Sequence, residues 1–176
     1  MRLRQAHGFA LIDLIFVCGI IGLLASIALP RLLLAKQVAG ASSAIGSMRA
    51  INSAQLTYAL TCGNGFYAPN LTTLGTAPAG SREAFISPDL GSADVVIKSN
   101  YTIQVAAAPF AGAPGACNGL GPGLAGQGFK AAADPTEPLN LRFFATNSNG
   151  VIFEDVATLW GGMPEVGEPP SGHTLR

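Results

Sequence analysis

Ionisable side chains are scarce in this sequence. Charged residues make up 11% of its 176 positions, against about 25% in an average soluble chain. Ten Lys and Arg balance ten Asp and Glu, so there is no bulk positive charge to attract a nucleic-acid backbone, and we predict no nucleic-acid partner. The apolar content of 49% excludes a chain that is disordered throughout.

Histidine is almost absent, with only His7 and His173 in the whole chain. Neither lies in the body of the sequence, so no imidazole is placed to act as a general base or a metal ligand. Residues 121–126 match the Gly-x-Gly-x-x-Gly string of dinucleotide-binding proteins, but no predicted strand precedes them and no predicted helix follows. We expect a flexible loop there, and a protein that is not an enzyme and holds no cofactor or metal.

The charges that are present are distributed unevenly. Residues 1–82 contain six basic and one acidic residue, whereas residues 83–176 contain four basic and nine acidic residues. Residues 9–29 form a run of 21 in which only Asp13 is charged. As a helix, this run spans about 31 Å, the thickness of the hydrocarbon core of a bilayer. Arg2 and Arg4 precede it, which favours a cytoplasmic N-terminus.

Two other interpretations of the apolar run predict cleavage. A secretory signal could end near Ala25 and Ser26, although the apolar part of such a signal is normally only about 7–15 residues long. A lipoprotein signal could end at Cys18, but Val17 before it is not small and the apolar run continues past it. Cys18 is better explained as a small apolar side chain in a helix.

The start of the chain resembles the N-terminus of type IV pilins and type II secretion pseudopilins. The matching residues are Gly8-Phe9-Ala10-Leu11-Ile12-Asp13, the apolar run, and then Pro30-Arg31. Members of that family have a short basic leader that ends in Gly, an aromatic residue after the cut, an acid four positions further on, and this Pro. The family acid is normally Glu, so Asp13 keeps the charge on a side chain shorter by one methylene.

The resemblance implies the role of each of these residues. A prepilin peptidase would remove leader residues 1–8 between Gly8 and Phe9, and Phe9 would then be N-methylated. Asp13 and the new amino group of Phe9 would serve subunit docking, and Pro30 would kink the helix. The implied partners are copies of the chain itself, the peptidase, an assembly ATPase, a platform protein in the membrane and an outer-membrane secretin.

The remaining sequence predicts an α+β fold. Apolar residues at spacings of three and four predict an amphipathic helix over residues 30–62, with the helical stripe Leu34, Val38, Ala41, Ile45, Met48, Ile51 and Tyr58. Residues 63–99 are predicted to be a loop region, in which 84–92 form a short helix or an irregular segment.

Residues 100–160 are predicted to form an antiparallel sheet of three to four strands with a Gly- and Pro-rich insertion. The predicted strands cover residues 100–106, 140–146 and 151–154, with 128–132 as a weaker fourth, and 147–150 form a hairpin turn. Residues 161–176 are predicted to be an irregular tail. The expected architecture is one long helix, membrane-spanning in its first half, whose second half packs on this small sheet.

Cys62 and Cys117 both fall in the part predicted to lie outside the cytoplasm, where disulfides persist. A bridge between them would tie the end of the helix to the Gly- and Pro-rich segment 109–128. Two unpaired thiols are the alternative.

These features together predict a structural subunit of a type IV pilus-like filament. It would be stored as a single-pass precursor in the inner membrane and then assembled into an extracellular pilus. A pseudopilin of a periplasmic pseudopilus is the alternative within the family. Phe9, the acid at 13 and the lack of a long C-terminal extension favour a major, self-assembling subunit. The alternative outside the family is a monomeric single-pass protein whose outer domain binds a ligand.

Overall fold

The computed structural model describes residues 11–175, which comprise three helices and six strands. The elements are α1 (Leu11–Thr61), β1 (Val95–Lys98), β2 (Tyr101–Ala106), β3 (Lys130–Pro135), β4 (Phe143–Asn147), β5 (Ile152–Asp155) and β6 (His173–Thr174), with the short helices α2 (Leu71–Leu74) and α3 (Pro88–Gly91) between α1 and β1. The predicted leader 1–8 and Phe9 lie outside the described residues. The chain divides into two units, residues 1–38 and residues 39–176.

The predicted α+β class is confirmed, with a long N-terminal helix and an antiparallel sheet. The sheet has six strands in the order β1-β2-β3-β4-β5-β6, so the expectation of three to four strands is wrong. Each strand pairs in antiparallel fashion with its neighbour in sequence. The two extra strands are the outermost ones, and both lie in segments that were expected to be a loop or an irregular tail.

Both edge strands lack the pattern that identifies a strand in a sequence. β1 begins with three apolar residues in a row, of which only Val96 is buried and Val95 and Ile97 are exposed, so its sequence shows no alternation of apolar and polar residues. In β6 both residues are exposed, and the strand pairs with β5 through its backbone. Strands of this kind depend on the presence of a finished neighbour rather than on their own side chains.

The core of unit 39–176 lies between the C-terminal part of α1 and one face of the sheet. Small side chains on the helix let it approach closely, and larger ones fill the interface. The buried set from α1 includes Ala41, Ala44, Met48, Ile51, Ala54 and Tyr58, and the sheet contributes Val96, Tyr101, Ile103, Val105, Ala131, Ala133 and Phe144. The predicted helical stripe is therefore correct from Ala41 onward, whereas Leu34 and Val38, which belong to the other unit, are exposed.

The opposite face of the sheet carries a second, smaller apolar cluster. Residues beyond β5 fold back over it and bury Leu159 and Met163 against Ala132, Ala145 and Phe153. Lys130 lies over the ring of Trp160, with its Nζ 4.8 Å from the ring centroid, and donates to the Trp160 carbonyl. The segment from residue 161 is irregular as predicted, except for β6, but its first residues are packed rather than free.

Candidate functional site

The first part of α1 is an uncovered apolar helix. Its large side chains from Leu11 to Leu34 are 43–77% exposed, although they are the most apolar in the chain. Among residues 11–175 only α1 is long and apolar enough to cross a bilayer. A helix with such a surface requires an apolar surrounding, either lipid or other helices. The chain is thus compatible with a single-pass membrane anchor.

Asp13 lies in the first turn of α1 as the helix is described, and its side chain is exposed. No ion pair to Asp13 forms within residues 11–175. Gly8 and Phe9, the two residues of the predicted cleavage site, lie outside the described part of the chain. The predicted pairing of Asp13 with the amino group of Phe9 therefore stays a prediction.

Pro30 lies inside α1, and the helix continues on both sides of it. Proline has no N–H to donate to the carbonyl four residues earlier, and its ring crowds that carbonyl. Ser26, whose carbonyl would lose this bond, donates its own hydroxyl to the Leu23 carbonyl at 2.8 Å. Proline at this position marks the end of the predicted span without ending the helix, and the kink itself stays a prediction.

The predicted disulfide is present, and it joins Cys62 to Cys117 with 4.9 Å between their Cα atoms. Cys62 directly follows α1 and is buried, whereas Cys117 is exposed in the long β2–β3 loop. The Cys117 N–H also donates to the Cys62 carbonyl at 3.3 Å. Cys18 is free and exposed on the apolar helix.

Further contacts hold this Gly- and Pro-rich loop against the end of α1. Tyr67 and Gly126 exchange two backbone hydrogen bonds of 2.8 and 3.0 Å. The ring of Phe66 stacks on that of Phe110 at 5.7 Å between centroids. The disulfide and these contacts together give an ordered surface to a segment that contributes little to the core.

The hydrogen bonds of Gln55 are a feature that the sequence did not reveal. This side chain is fully buried on α1, and its amide both accepts from the Ala68 N–H and donates to the Ala68 carbonyl, each at 2.9 Å. The pair fixes the chain where it leaves the helix and turns back along it. A lone Gln between apolar residues is the only trace of it in the sequence.

The residues with reactive chemistry do not converge on one site. No group of three or more His, Cys, Asp or Glu in the described part of the chain is placed to hold a metal ion. Residues 121–126 lie in the β2–β3 loop, and a strand rather than a helix follows them, so the nucleotide-binding context is missing. Arg142 and Glu154 form a two-bond ion pair of 2.5 and 3.1 Å on the sheet, which leaves neither group available for a substrate.

Two of the open clefts on unit 39–176 contain several polar side chains that could bind a ligand. One is lined by Thr72, Thr73, Thr76, Asn118, Gly119 and Leu120, and its Asn118 amide donates to the Thr73 carbonyl at 2.8 Å. The other lies between α1 and the β4–β5 turn and contains Asn52 and Leu56, where Asn52 donates to Thr146 and to the Gly150 carbonyl. In the second cleft these polar groups bind one another, whereas in the first the Oδ1 of Asn118 is buried without a hydrogen-bond partner among residues 11–175.

Within the described residues, unit 39–176 is a disulfide-linked module, and the first part of α1 is a long helical surface of uncovered apolar side chains. Comparison with known proteins adds no relative to this picture, since no family model, no curated protein and no solved structure matches the chain.

Proposed function

We propose that this chain is a structural subunit of a type IV pilus-like filament, processed by a prepilin peptidase and polymerised through its N-terminal helix. The observation that carries the proposal is the joint occurrence of Gly8, Phe9, Asp13 and Pro30 at the family spacing on a helix whose apolar surface is uncovered. A plain membrane anchor needs neither the Gly-Phe junction nor an acid within the span.

The apolar surface of α1 would have two successive environments, first lipid and then the helices of other subunits. In the precursor, the apolar residues of α1 would be solvated by lipid in the inner membrane. In the filament, the same residues would be covered by the helices of neighbouring copies. The disulfide-linked unit 39–176 would remain outside the membrane in both states, because a bridge such as Cys62–Cys117 persists in oxidising compartments.

In this proposal Asp13 fixes the position of one subunit's helix relative to that of its neighbour. After cleavage at Gly8 the α-amino group of Phe9 is cationic, and in a filament it would meet the Asp13 carboxylate of a neighbouring subunit. Two opposite charges in an apolar environment must be paired, yet desolvation offsets most of their attraction. Their contribution is therefore to fix the relative position of two helices rather than to strengthen their association.

A pseudopilin of the type II secretion machinery is the second candidate, since the same N-terminal residues serve both. In either case the partners would be the prepilin peptidase, an assembly ATPase, a platform protein and a secretin. A monomeric single-pass binding protein is the rival from another class.

Maturation of the N-terminus tests the proposal against that rival. Expressed with a prepilin peptidase, the chain should yield a product of 168 residues (176 − 8) that begins at Phe9 and is heavier by one methyl group. Gly8→Leu should remain as an uncut membrane precursor, whereas the control Gly19→Leu, inside the apolar run, should be cut normally. Intact-mass spectrometry of the membrane fraction decides, and normal processing of Gly8→Leu would falsify the assignment.

A further inference from the structure

The two ends of the sheet differ, and α1 enters unit 39–176 at one of them. The antiparallel register places the β1–β2 turn, the β3–β4 loop and the residues after β5 at the same end. At this end the Ser43 hydroxyl donates to the Ser99 hydroxyl at 2.9 Å. Gly40 passes so close that an added Cβ would lie 2.9 Å from the Ser99 carbonyl oxygen. The first helical residues of the unit are therefore fixed to this end, here called the entry end.

The entry end carries apolar side chains that nothing in the unit covers. Leu139 is 85% exposed and Leu141 60%, both in the β3–β4 loop, and Ile97 and Val156 are 73% and 70% exposed on β1 and just after β5. In the loops at the opposite end, Phe110, Leu124 and Val151 are 38%, 48% and 40% exposed, and Val166 is 64% exposed. The four residues Ile97, Leu139, Leu141 and Val156 are called the apolar rim below.

The β3–β4 loop is built to hold its leucines outward. Between them, Asn140 is only 7% exposed, and its amide donates to the Tyr101 hydroxyl at 3.0 Å inside the unit. The Asn140 N–H donates to the Glu137 carbonyl, and the Thr136 N–H to the Asn100 carbonyl. A polar residue is thus buried while its two leucine neighbours face out, which is the reverse of the usual order. A contact with an apolar partner outside the fold would cover these two leucines.

The number of residues between the apolar run of α1 and unit 39–176 limits how far this unit can lie from a bilayer that α1 crosses. The apolar run of α1 ends at Leu29, and unit 39–176 begins ten residues later. Ten residues span at most about 36 Å even when fully extended. If α1 crosses a bilayer, its outer interface therefore lies within reach of the entry end.

The charges near the rim favour a lipid surface without net charge. Lys98 is paired with Asp89 and Arg142 with Glu154, while Asp134 and Asp155 add negative charge near the same end. Even with Arg49, which lines a cleft with Arg142, these groups carry no surplus of positive charge to attract anionic headgroups. The contact would therefore depend on the apolar side chains.

We propose that the apolar rim seats unit 39–176 on the outer interface of the bilayer that α1 crosses, with Leu139 and Leu141 inserted at the boundary of headgroups and acyl chains. The inference rests on the membrane-anchored precursor stage of the proposed function and is independent of filament formation. It adds a second state to the precursor, because the unit must leave this surface when a subunit is drawn into a filament.

Fluorescence quenching in nanodiscs of phosphatidylcholine tests the proposal with the full chain. Leu139→Trp and the matched control Val166→Trp, 64% exposed and near the opposite end, are compared after subtraction of the native Trp160 signal. Interfacial helices and side chains insert about 5–10 Å, so lipid brominated on its acyl chains should quench the tryptophan at 139 roughly twofold more than that at 166. Circular dichroism and the intact Cys62–Cys117 bridge report that both variants fold.

Three outcomes would overturn the proposal. Equal quenching at 139 and 166, or none at 139, would show that the rim does not reach the lipid. Quenching that depends on the number of chains per disc and not on bromination would show that a second copy covers the rim instead. Peptidase processing at Gly8 is unaffected by each of these results, so failure here leaves the proposed function standing.

Discussion

The side chain of Gln55 and the backbone of Ala68 form a closed pair of buried hydrogen bonds, each 2.9 Å long. The Gln55 amide donates and accepts as a backbone peptide group does in a strand, and in this way it holds the segment around Ala68 against the helix. Tyr67 and Gly126 pair next to it, so the amide connects α1 to the loop that carries Cys117.

Replacing Gln55 by Met should therefore destabilise unit 39–176 strongly. The Ala68 N–H and carbonyl would remain buried without partners, at a cost of about 2–4 kcal/mol in the free energy of unfolding. Ser53→Ala, exposed on the same helix, is the control and should change stability by less than about 0.5 kcal/mol. Denaturant unfolding in detergent, followed by Trp160 fluorescence, measures both, and equal midpoints would refute the role of Gln55.

Loss of the disulfide should be costly because the loop that it closes is long. The bridge spans 55 positions, which corresponds to about 4 kcal/mol in the chain-entropy model. Cys62→Ala with Cys117→Ala should lose that amount, whereas Cys18→Ala should leave unfolding unchanged. Non-reducing peptide mapping of exported protein should find Cys62 joined to Cys117. Two freely alkylated thiols there would contradict the bridge.

Gly40 and Gly46 offer opposite responses to the same substitution in one helix. An added Cβ meets nothing within 4 Å at Gly46, so Gly46→Ala should stabilise the unit by about 0.8–1 kcal/mol through helix propensity. At Gly40 the Cβ would lie 2.9 Å from the Ser99 carbonyl oxygen, and Gly40→Ala should instead destabilise by about 1–3 kcal/mol through overpacking. Opposite shifts of the unfolding midpoint are expected, and a stabilising Gly40→Ala would show that the β1–β2 turn yields.

Burial raises the pKa of the Asp134 carboxyl, and the hydrogen bond from the Thr158 hydroxyl offsets part of that rise. The folded state then binds a proton more tightly than the unfolded state, so stability falls as the pH rises from the unfolded pKa through the folded one. Asp134→Asn removes this term and keeps an acceptor for Thr158. The variant should be more stable than wild type at pH 7, and the difference should shrink as the pH falls to the ordinary range of an Asp pKa. Unfolding midpoints between pH 3 and 7 provide the test; a difference that grows toward low pH would contradict it.

Substitutions of Asp13 separate assembly from folding. A carboxylate at mid-membrane costs about 2.5–3.5 kcal/mol on insertion scales. Asp13→Ala removes this cost, so the variant should insert and fold normally. It should assemble poorly, because the Phe9 amine of the neighbouring copy would be left unpaired. Asp13→Glu, the matched control, keeps the charge and should assemble at least as well as wild type. The ratio of sheared filament to membrane pool measures this, and a wild-type ratio for Asp13→Ala would remove Asp13 from the docking contact.

The elements that the sequence predicted correctly are those with a strong local pattern. The alternation of residues 100–106 became β2, and the turn before Val151 became the β4–β5 hairpin, in which Gly150 adopts a φ of 75°. The helix was expected to end near Cys62 and ends at Thr61. Residues 84–92, left open between a short helix and a loop, contain α3.

The elements that were missed depend on distant partners. Helix α2 has four residues within a segment assigned to loop, and the Asn118 amide, 45 positions away, donates to its Thr73 carbonyl. The outward leucines at 139 and 141 look like core residues in the sequence, and only the buried Asn140 between them reveals the reversal. Leu34 and Val38 continue the predicted helical face but are exposed, because periodicity identifies a helical face and not what covers it.

The succession of strands has a consequence for the time course of biogenesis. Each strand from β2 to β6 pairs with the strand that precedes it in the chain, so a polypeptide delivered from its N-terminus can add each of them to an existing edge as it emerges. If the chain is exported as proposed, both sulfurs would be available to an oxidase before β3 to β6 emerge, because Cys117 precedes β3. An oxidised chain would then complete its sheet on a helix end that is already cross-linked, and the order of export would itself direct folding.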